Sequence, residues 1–171
     1  GMPIKGISSI DKIALASLSG SGMIGIPGIS ARLFSALSRA KVNIILITQA
    51  SSEHSISFAI SPEDITIAVD AVQEEFAFEI QTGKINSPRV ETGLSVIALV
   101  GEKMSGQVNV SGKMFNTLGS NGVNMRAIAQ GSSERNISAV IEEKDVKKAL
   151  NVLHENHFEG SNKVLNLFVV G

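Results

Sequence analysis

An internal duplication constrains the fold of this chain more than any other feature of its sequence. Residues 47–57, ITQASSEHSIS, return at 128–138 as IAQGSSERNIS, with the offset of 81 residues that separates Gln49 from Gln130. The same offset aligns 13–78 with 94–159 without a gap, and about 20 of the 66 aligned pairs are identical. Two copies are too few for a solenoid, so the sequence predicts a tandem of two small domains.

Length and composition agree with this division of the 171 residues. We expect an N-terminal linker or strand at 1–12, a first domain at 13–88 and a second at 89–171. Domains of roughly 75 to 80 residues bury thin cores and therefore rely on each other or on self-association. With 43% hydrophobic and only 18% charged residues, some apolar surface is expected to be covered by a partner, and we expect a homodimer.

Composition also excludes several classes of function. A net charge of −1 offers no basic face for nucleic acid. The absence of cysteine excludes thiol catalysis, disulfides and thiolate metal sites. No apolar run reaches the roughly 20 residues that span a bilayer, and no secretory signal pattern is present, so a soluble cytoplasmic protein without membrane contact is expected.

Hydrophobic periodicity gives both copies the same order of elements, β-α-β-β-α-β. That order is typical of a ferredoxin-like α+β domain, in which two helices cover one face of an antiparallel sheet. The edge strands can be exchanged between the two domains, because residues 4–9 also have an extended pattern, and the sequence leaves this open. The predicted elements of the first copy are a strand at 13–18, a helix at 29–40, a hairpin of strands at 42–47 and 55–60, a second helix and a last strand at 78–85. Ser61 is the predicted N-cap of the second helix, and Pro62 is its first residue. In the second copy, the last strand is predicted at 164–170.

The loop after the first strand matches the dinucleotide fingerprint G-x-G-x-x-G from Gly20 to Gly25. A nucleotide site is rejected, because Lys103 replaces the middle glycine in the second copy and the acidic residue that binds ribose is missing. The glycines indicate instead a tight loop with exposed backbone. Backbone N–H groups of such a loop can hold a carboxylate at a helix N-terminus.

A polar cluster, Gln-x-Ser-Ser-Glu, closes an apolar strand at the same place in both copies. A single occurrence would be explained by a hairpin turn whose serines cap backbone groups. The amides of Gln49 and Gln130 could equally donate to and accept from a small polar ligand, with Asn43 and Asn124 nearby. Because the whole cluster is duplicated, the ligand-binding interpretation is favoured.

No catalytic arrangement is predicted. His154 and His157 share a helix face, but the sequence places no third metal ligand beside them, so a solvated face is favoured over a metal site. No serine lies in a nucleophile elbow. We therefore expect a fragment without catalytic residues, metal or cofactor.

These residues resemble the paired ACT domains of aspartokinases, most closely the regulatory region of the threonine-sensitive bifunctional aspartokinase–homoserine dehydrogenases. The resemblance covers nearly the whole chain. It rests on VNIILITQ at 42–49 with SSE at 51–53, on IAQGSSER at 128–135, and on Gly22, Met23, Gly25 and Gly28. A lysine-sensitive monofunctional aspartokinase is the alternative within this class, and a purely structural dimerisation module is the alternative outside it.

The resemblance implies that a kinase domain precedes this region and a dehydrogenase domain follows it, with LFVVG at 167–171 as the opening of the latter. Aspartate kinase activity with ATP and Mg²⁺, and homoserine dehydrogenase activity with NAD(P), would then belong to those missing domains. The fragment would bind a free amino acid, threonine or alternatively lysine, and impose allosteric feedback inhibition on its parent protein.

The resemblance further implies two effector pockets, in which Gln49 and Gln130 are the principal contacts. One pocket is expected to be weaker or to serve only packing, because Pro27-Gly28 in the first copy is replaced by Val108-Asn109 in the second. The other effector-binding residues would be Asn43, Met23, Gly25, Ile26, Pro27, Gly28, Ser52 and Glu53 in the first pocket, and Asn124, Met104, Gly106, Asn109, Ser133 and Glu134 in the second.

Overall fold

A computed structural model describes residues 4–50, 54–101, 108–130, 136–156 and 164–166. The chain divides into two compact units. Residues 13–92 form one, here called the first-copy unit, and residues 4–12 together with 93–166 form the other, here called the second-copy unit. Within the described residues, no helix is long and apolar enough to cross a membrane.

The first-copy unit places its helices against one sheet. Its strands hydrogen-bond in the order β2 (Leu46–Ala50), β3 (Ser55–Ile60) and β1 (Ile4–Ser19), and both neighbouring pairs are antiparallel. The predicted hairpin of β2 and β3 and both predicted helices are confirmed. The elements are β1 (Ile4–Ser19, of which 13–19 belong to this unit), α1 (Ile29–Arg39), β2 (Leu46–Ala50), β3 (Ser55–Ile60), α2 (Ile65–Glu75) and α3 (Ala77–Gln81), with short 3-10 helices at Met23–Gly25 and Pro62–Asp64.

The second-copy unit repeats this design. Ser95 pairs with Ile141 as Ala14 pairs with Ile60, so the strand register also follows the offset of the duplication. The ferredoxin-like α+β class is confirmed in both copies. The elements are β4 (Arg89–Gly101), α4 (Val108–Ser120), β5 (Met125–Gln130), β6 (Asn136–Glu142), α5 (Val146–Glu155) and β7 (Val164–Asn166), with a 3-10 helix at Glu143–Asp145 before α5.

Two strands contribute to both units. β1 gives residues 4–12 to the second-copy unit, where Ile7 is fully buried in the core and pairs in parallel with Val164 of β7. β4 gives residues 89–92 to the first-copy unit. Lys12 and Gly93, which lie at these two boundaries, both adopt left-handed backbone conformations, with φ of 57° and 73°. A residue in this conformation interrupts the regular pleat of a strand.

The two cores distribute volume differently at one cross-strand pair. Ala16 lies opposite Phe58 in the first-copy unit, whereas the equivalent pair in the second is Ile97 opposite Ala139. All four side chains are buried in the core of their own unit. A large residue on one strand therefore compensates for a small residue on its neighbour, as close packing requires.

Three local predictions were wrong. No strand forms at 78–85; the chain there forms α3 and a turn, in which the Thr82 hydroxyl donates to the carbonyl of Phe78 at 2.9 Å. The strand predicted at 42–47 begins only at Leu46. Ser61 makes no side-chain cap: its hydroxyl donates to the Glu63 carboxylate at 3.3 Å and accepts no hydrogen bond from a backbone N–H.

An ionic cluster explains why α3 is helical. The guanidinium of Arg32 on α1 donates to both carboxylate oxygens of Glu79, at 3.1 and 3.0 Å, and to Glu75 at 3.2 Å. The same group lies 4.5 Å from the ring centroid of buried Phe76. A helical α3 directs Glu79 to Arg32, which joins α1 to α3 through a bidentate pair. Hydrogen bonding to Arg32 lowers the pKa of Glu79 from its ordinary value of 4.5.

This cluster predicts a pH-dependent contribution to stability. The contribution is fully present above pH 4.5, the ordinary pKa of the carboxyl group, and is lost as the pH falls through the lowered pKa of folded Glu79. Arg32→Met should therefore lower the free energy of unfolding by about 1 to 2 kcal/mol at pH 7, and by less in acid. Urea titrations followed by circular dichroism at both pH values measure the difference.

Arg39→Met is the matched control, since Arg39 lies on the same helix but its side chain is 66% exposed and contacts Glu75 only at 3.3 Å. It should cost at most about 0.5 kcal/mol at either pH. Equal losses for the two variants, or a loss for Arg32→Met that persists undiminished in acid, would contradict the assignment.

Candidate ligand site

The loop between β1 and α1 is held by the turn that follows α3. The N–H of Gly22 donates to the carbonyl of Lys84 at 3.0 Å, and the N–H of Asn86 donates to Ser19 at 2.8 Å. A Cβ at Gly20 would meet the Lys84 carbonyl oxygen and would lie 2.7 Å from the Cα of Ile85. The first two glycines of the G-x-G-x-x-G match therefore allow two backbone segments to approach closely.

The rest of this loop presents backbone to the exterior. Met23 is buried in the first-copy core and Ile26 packs against it, so these two predicted site residues anchor the loop. Gly25 has open space where a Cβ would stand. Pro27 and Gly28 are exposed, and Gly28 begins α1 with a left-handed φ of 65°. Of the predicted first-pocket residues in this loop, Met23 and Ile26 therefore hold the loop against the core, whereas Gly25, Pro27 and Gly28 expose their backbone.

Gln49 and Gln130 occupy equivalent backbone positions. Gln49 lies opposite Ile56 on β2, and Gln130 lies opposite Ile137 on β5. In the part of the sheet that the structure describes, β2 and β5 are the outermost strands, so the two glutamines lie on edge strands. Their side chains are outside the described part of the structure, and whether they touch a ligand stays a prediction.

Asn43 lies in an open cavity of about 500 Å³ on the first-copy unit. The cavity lies between the second half of α1 and the segment that leads into β2. Asn124, the equivalent of Asn43, is exposed immediately before β5. The residues that line the cavity are Phe34, Ser38, Lys41, Val42, Asn43 and Ile44.

Five of these lining residues were not predicted as site residues: Phe34, Ser38, Lys41, Val42 and Ile44. One signal was available for Phe34, which is identical to Phe115 in the second copy and yet is 37% exposed. The signal for Lys41 is a difference between copies, because the second copy has Gly122 at this position.

Several predicted site residues fall outside the described part of the structure. Asn109 lies within the backbone of α4, but its side chain is not described. Within the described residues, no group of three or more histidine, aspartate or glutamate side chains could hold a metal ion. The predicted residues outside the described ranges are Ser52, Glu53, Met104, Gly106, Ser133 and Glu134.

A family model described as the ACT domain matches residues 17–76 and 97–157, which are the two copies. The bifunctional aspartokinase/homoserine dehydrogenase 1 of Arabidopsis thaliana is 37% identical over 169 residues, and that of Haemophilus influenzae is 38% identical over 170. Each alignment covers 99% of this chain but only 18% and 21% of the relative, so the chain spans about a fifth of their length.

The fold has a counterpart among solved structures. The regulatory subunit of aspartate kinase from Thermus flavus superposes with a TM-score of 0.75 at 23% identity, covering 90% of this chain and 98% of that one. This likeness concerns the arrangement of elements. The two family-model matches cover both copies of the duplication, and the chain belongs to the ACT domain family.

Proposed function

We propose that this chain is the regulatory region of an aspartokinase fused to a homoserine dehydrogenase, and that it binds threonine as a feedback inhibitor. The observation that carries the proposal is the repeated placement of a glutamine on an edge strand, at the same register in both copies. Sequence identity to bifunctional relatives along nearly the whole chain supports the parent protein.

The proposed binding mode uses backbone groups of the loop before α1 and the side-chain amide of Gln49. Exposed backbone at Gly25 and Gly28 would meet the ammonium and carboxylate of threonine, and the amide of Gln49 would bond its hydroxyl. Valine lacks that hydroxyl and would leave the amide unpaired. We therefore expect valine to bind more weakly than threonine.

Regulation would follow from a difference in affinity between two arrangements of subunits. Threonine that prefers one arrangement shifts the population toward it, and the attached catalytic domains respond. A coupling of about 1 to 3 kcal/mol corresponds to about 5- to 150-fold in affinity. Self-association through the ACT units, as a homodimer, belongs to the same proposal.

Substituting the glutamines tests this function. Gln49→Ala and Gln130→Ala should each weaken threonine binding by about tenfold or more at the pocket concerned, because a buried hydroxyl then loses its partner. Isothermal titration calorimetry with threonine, lysine, methionine and valine measures affinity and stoichiometry. Size-exclusion chromatography with light scattering measures assembly.

Gln73→Ala is the matched control, because Gln73 is exposed on α2. It should bind threonine as the unsubstituted chain does. Saturable binding of lysine but not of threonine would favour the regulatory region of a lysine-sensitive aspartokinase. A folded dimer that gives no saturable heat with any of the four amino acids would leave only a structural dimerisation module.

A further inference from the structure

The loop between β1 and α1 is fixed at both of its ends through one residue, Glu79 of α3. The carbonyl of Glu79 accepts hydrogen bonds from the N–H groups of Lys84 and Ile85, at 2.9 and 3.1 Å. The Lys84 carbonyl in turn accepts from the N–H of Gly22, near the start of the loop, at 3.0 Å. The backbone of Glu79 therefore shapes the turn that holds this end of the loop.

The side chain of Glu79 holds the other end of the loop. Its two carboxylate oxygens accept from the Arg32 guanidinium at 3.0 and 3.1 Å, and the N–H of Arg32 donates to the Gly28 carbonyl at 3.0 Å, where α1 begins. The Glu79 side chain is only 12% exposed, so solvent screens this pair less than a surface pair. We call these contacts of Gly22, Arg32, Glu79 and Lys84 the loop clamp.

The second copy replaces two residues of the loop clamp. At the offset of the duplication, Lys103 stands in place of Gly22 and Lys113 in place of Arg32. A lysine offers a single ammonium group, which cannot reproduce the bidentate pair of a planar guanidinium with a carboxylate. The sequence thus builds the clamp into the first copy and not into the second.

The clamped loop is the part of the proposed site that offers backbone groups. Gly25 has open space where a Cβ would stand, and Gly28 is exposed. Because glycine has no side chain to anchor it, the position of these groups depends on what holds the loop at its ends. A loop that is already held in the binding conformation loses less entropy when the ligand binds, and its affinity is higher.

We infer that the loop clamp preorganises the first-copy effector site, with Arg32 and Glu79 as positioning residues that act through the loop. The inference rests on the proposed function. It makes the first-copy site the tighter of the two sites, because the second copy replaces Gly22 and Arg32.

Arg32→Lys is the most specific variant, because it installs the residue of the second copy and keeps the charge. In a Gln130→Ala background the first-copy site dominates the heat of calorimetric titration, and threonine affinity should fall about fivefold when Arg32→Lys is added. Glu79→Gln removes the carboxylate that accepts from Arg32 and should weaken binding by a similar factor. In a Gln49→Ala background, which reports the second-copy site, neither substitution should change the affinity.

Two variants control for charge and for stability. Arg39→Lys makes the same exchange on the same helix, at a side chain that is 66% exposed and contacts Glu75 only at 3.3 Å. Val72→Ala truncates a core residue that is 1% exposed and lies outside the loop clamp, so it should cost at least as much stability as Arg32→Lys. Both should keep threonine affinity within about twofold, since a less stable unit that remains folded presents the same site.

Amide hydrogen exchange measured by NMR tests the loop clamp without a ligand. The Gly22 N–H should be protected in the unsubstituted chain, because it donates to the Lys84 carbonyl. It should exchange faster in Arg32→Lys and in Glu79→Gln, because either substitution releases one end of the loop. Arg39→Lys should leave this exchange rate unchanged.

The outcomes separate the inference from the proposed function. Unchanged threonine affinity in both Arg32→Lys and Glu79→Gln, or an equal loss in Val72→Ala, overturns the inference. If the unsubstituted chain binds no amino acid, the proposed function fails and the inference falls with it, whereas the exchange of Gly22 still reports whether the clamp holds the loop. A loss confined to the first-copy site, with faster exchange of Gly22 and retained affinity in both controls, supports the positioning role.

Discussion

Phe58→Ala is expected to destabilise the first-copy unit more than any other single substitution considered for this chain. Phe58 is 2% exposed and lies between Ala16 on β1 and Ile47 on β2, so its removal leaves a cavity beside the small Ala16. Truncation of a buried phenylalanine costs about 3 to 5 kcal/mol. Because small domains are stabilised by only about 5 to 15 kcal/mol, this loss removes a large fraction of the free energy of unfolding of the unit.

The second copy suggests a second substitution that should restore part of the stability lost in Phe58→Ala. Its equivalent pair is Ile97 opposite Ala139, so the double substitution Ala16→Ile with Phe58→Ala transfers that arrangement to the first copy. Ala16→Ile alone overpacks the core and should cost about 1 to 3 kcal/mol. The double variant should be more stable than the sum of the single losses predicts, since the two residues are in contact.

Urea denaturation followed by circular dichroism is the appropriate measurement, because the chain has no tryptophan or tyrosine for intrinsic fluorescence. Phe78→Ala is the matched control: Phe78 is 64% exposed, and its loss should cost about 0.5 kcal/mol or less. Equal losses for the two phenylalanines, or strict additivity in the double variant, would argue against the complementary packing of this pair.

Gly20→Ala is expected to have the second-largest effect. The added Cβ would meet the carbonyl oxygen of Lys84, and backbone cannot move aside as a flexible side chain can. Either the loop after β1 or the turn after α3 must shift, at a cost of about 1 to 3 kcal/mol. The shift would also displace Met23 and Gly28, so threonine affinity should fall together with stability.

Gly25→Ala provides the comparison within the same loop. An added Cβ at Gly25 meets nothing within 4 Å, so this variant should unfold within about 0.5 kcal/mol of the unsubstituted chain. Thermal unfolding of the two variants measures the difference in stability. If Gly20→Ala and Gly25→Ala melted at the same temperature, the close approach between Gly20 and Lys84 would not hold in solution.

Much of the fold could be predicted from local patterns. Ile29, Leu33 and Leu37 recur at helical spacing, and α1 forms there, with Leu33 and Leu37 buried. Alternation between polar and apolar residues at 55–60 predicted β3 for the same reason, since each pattern reports which face of an element is buried. The repeated glutamines lie on an edge strand at the same register in both copies, and the ligand-binding role inferred from them stays a prediction.

Other features depended on residues far apart in the chain. The apolar residues at 78–85 were read as a strand, but Arg32, more than forty positions earlier, binds Glu79 and favours the helix that forms instead. The cavity residues Phe34, Ser38 and Lys41 were missed for another reason. They lie close to Asn43 in sequence, but each has the pattern of an ordinary helix or turn residue.

The sequence by itself determined the duplication, the order of most elements and the family. The order of elements follows from periodicity within each element, and the duplication and the family follow from comparison of residues along the chain, so neither requires knowledge of contacts in space. Only the tertiary structure decided that Gly20 and Gly22 admit the backbone of Lys84 and that β1 serves both units. Such contacts join segments that are distant in sequence, and their energies depend on three-dimensional packing, which no local pattern encodes.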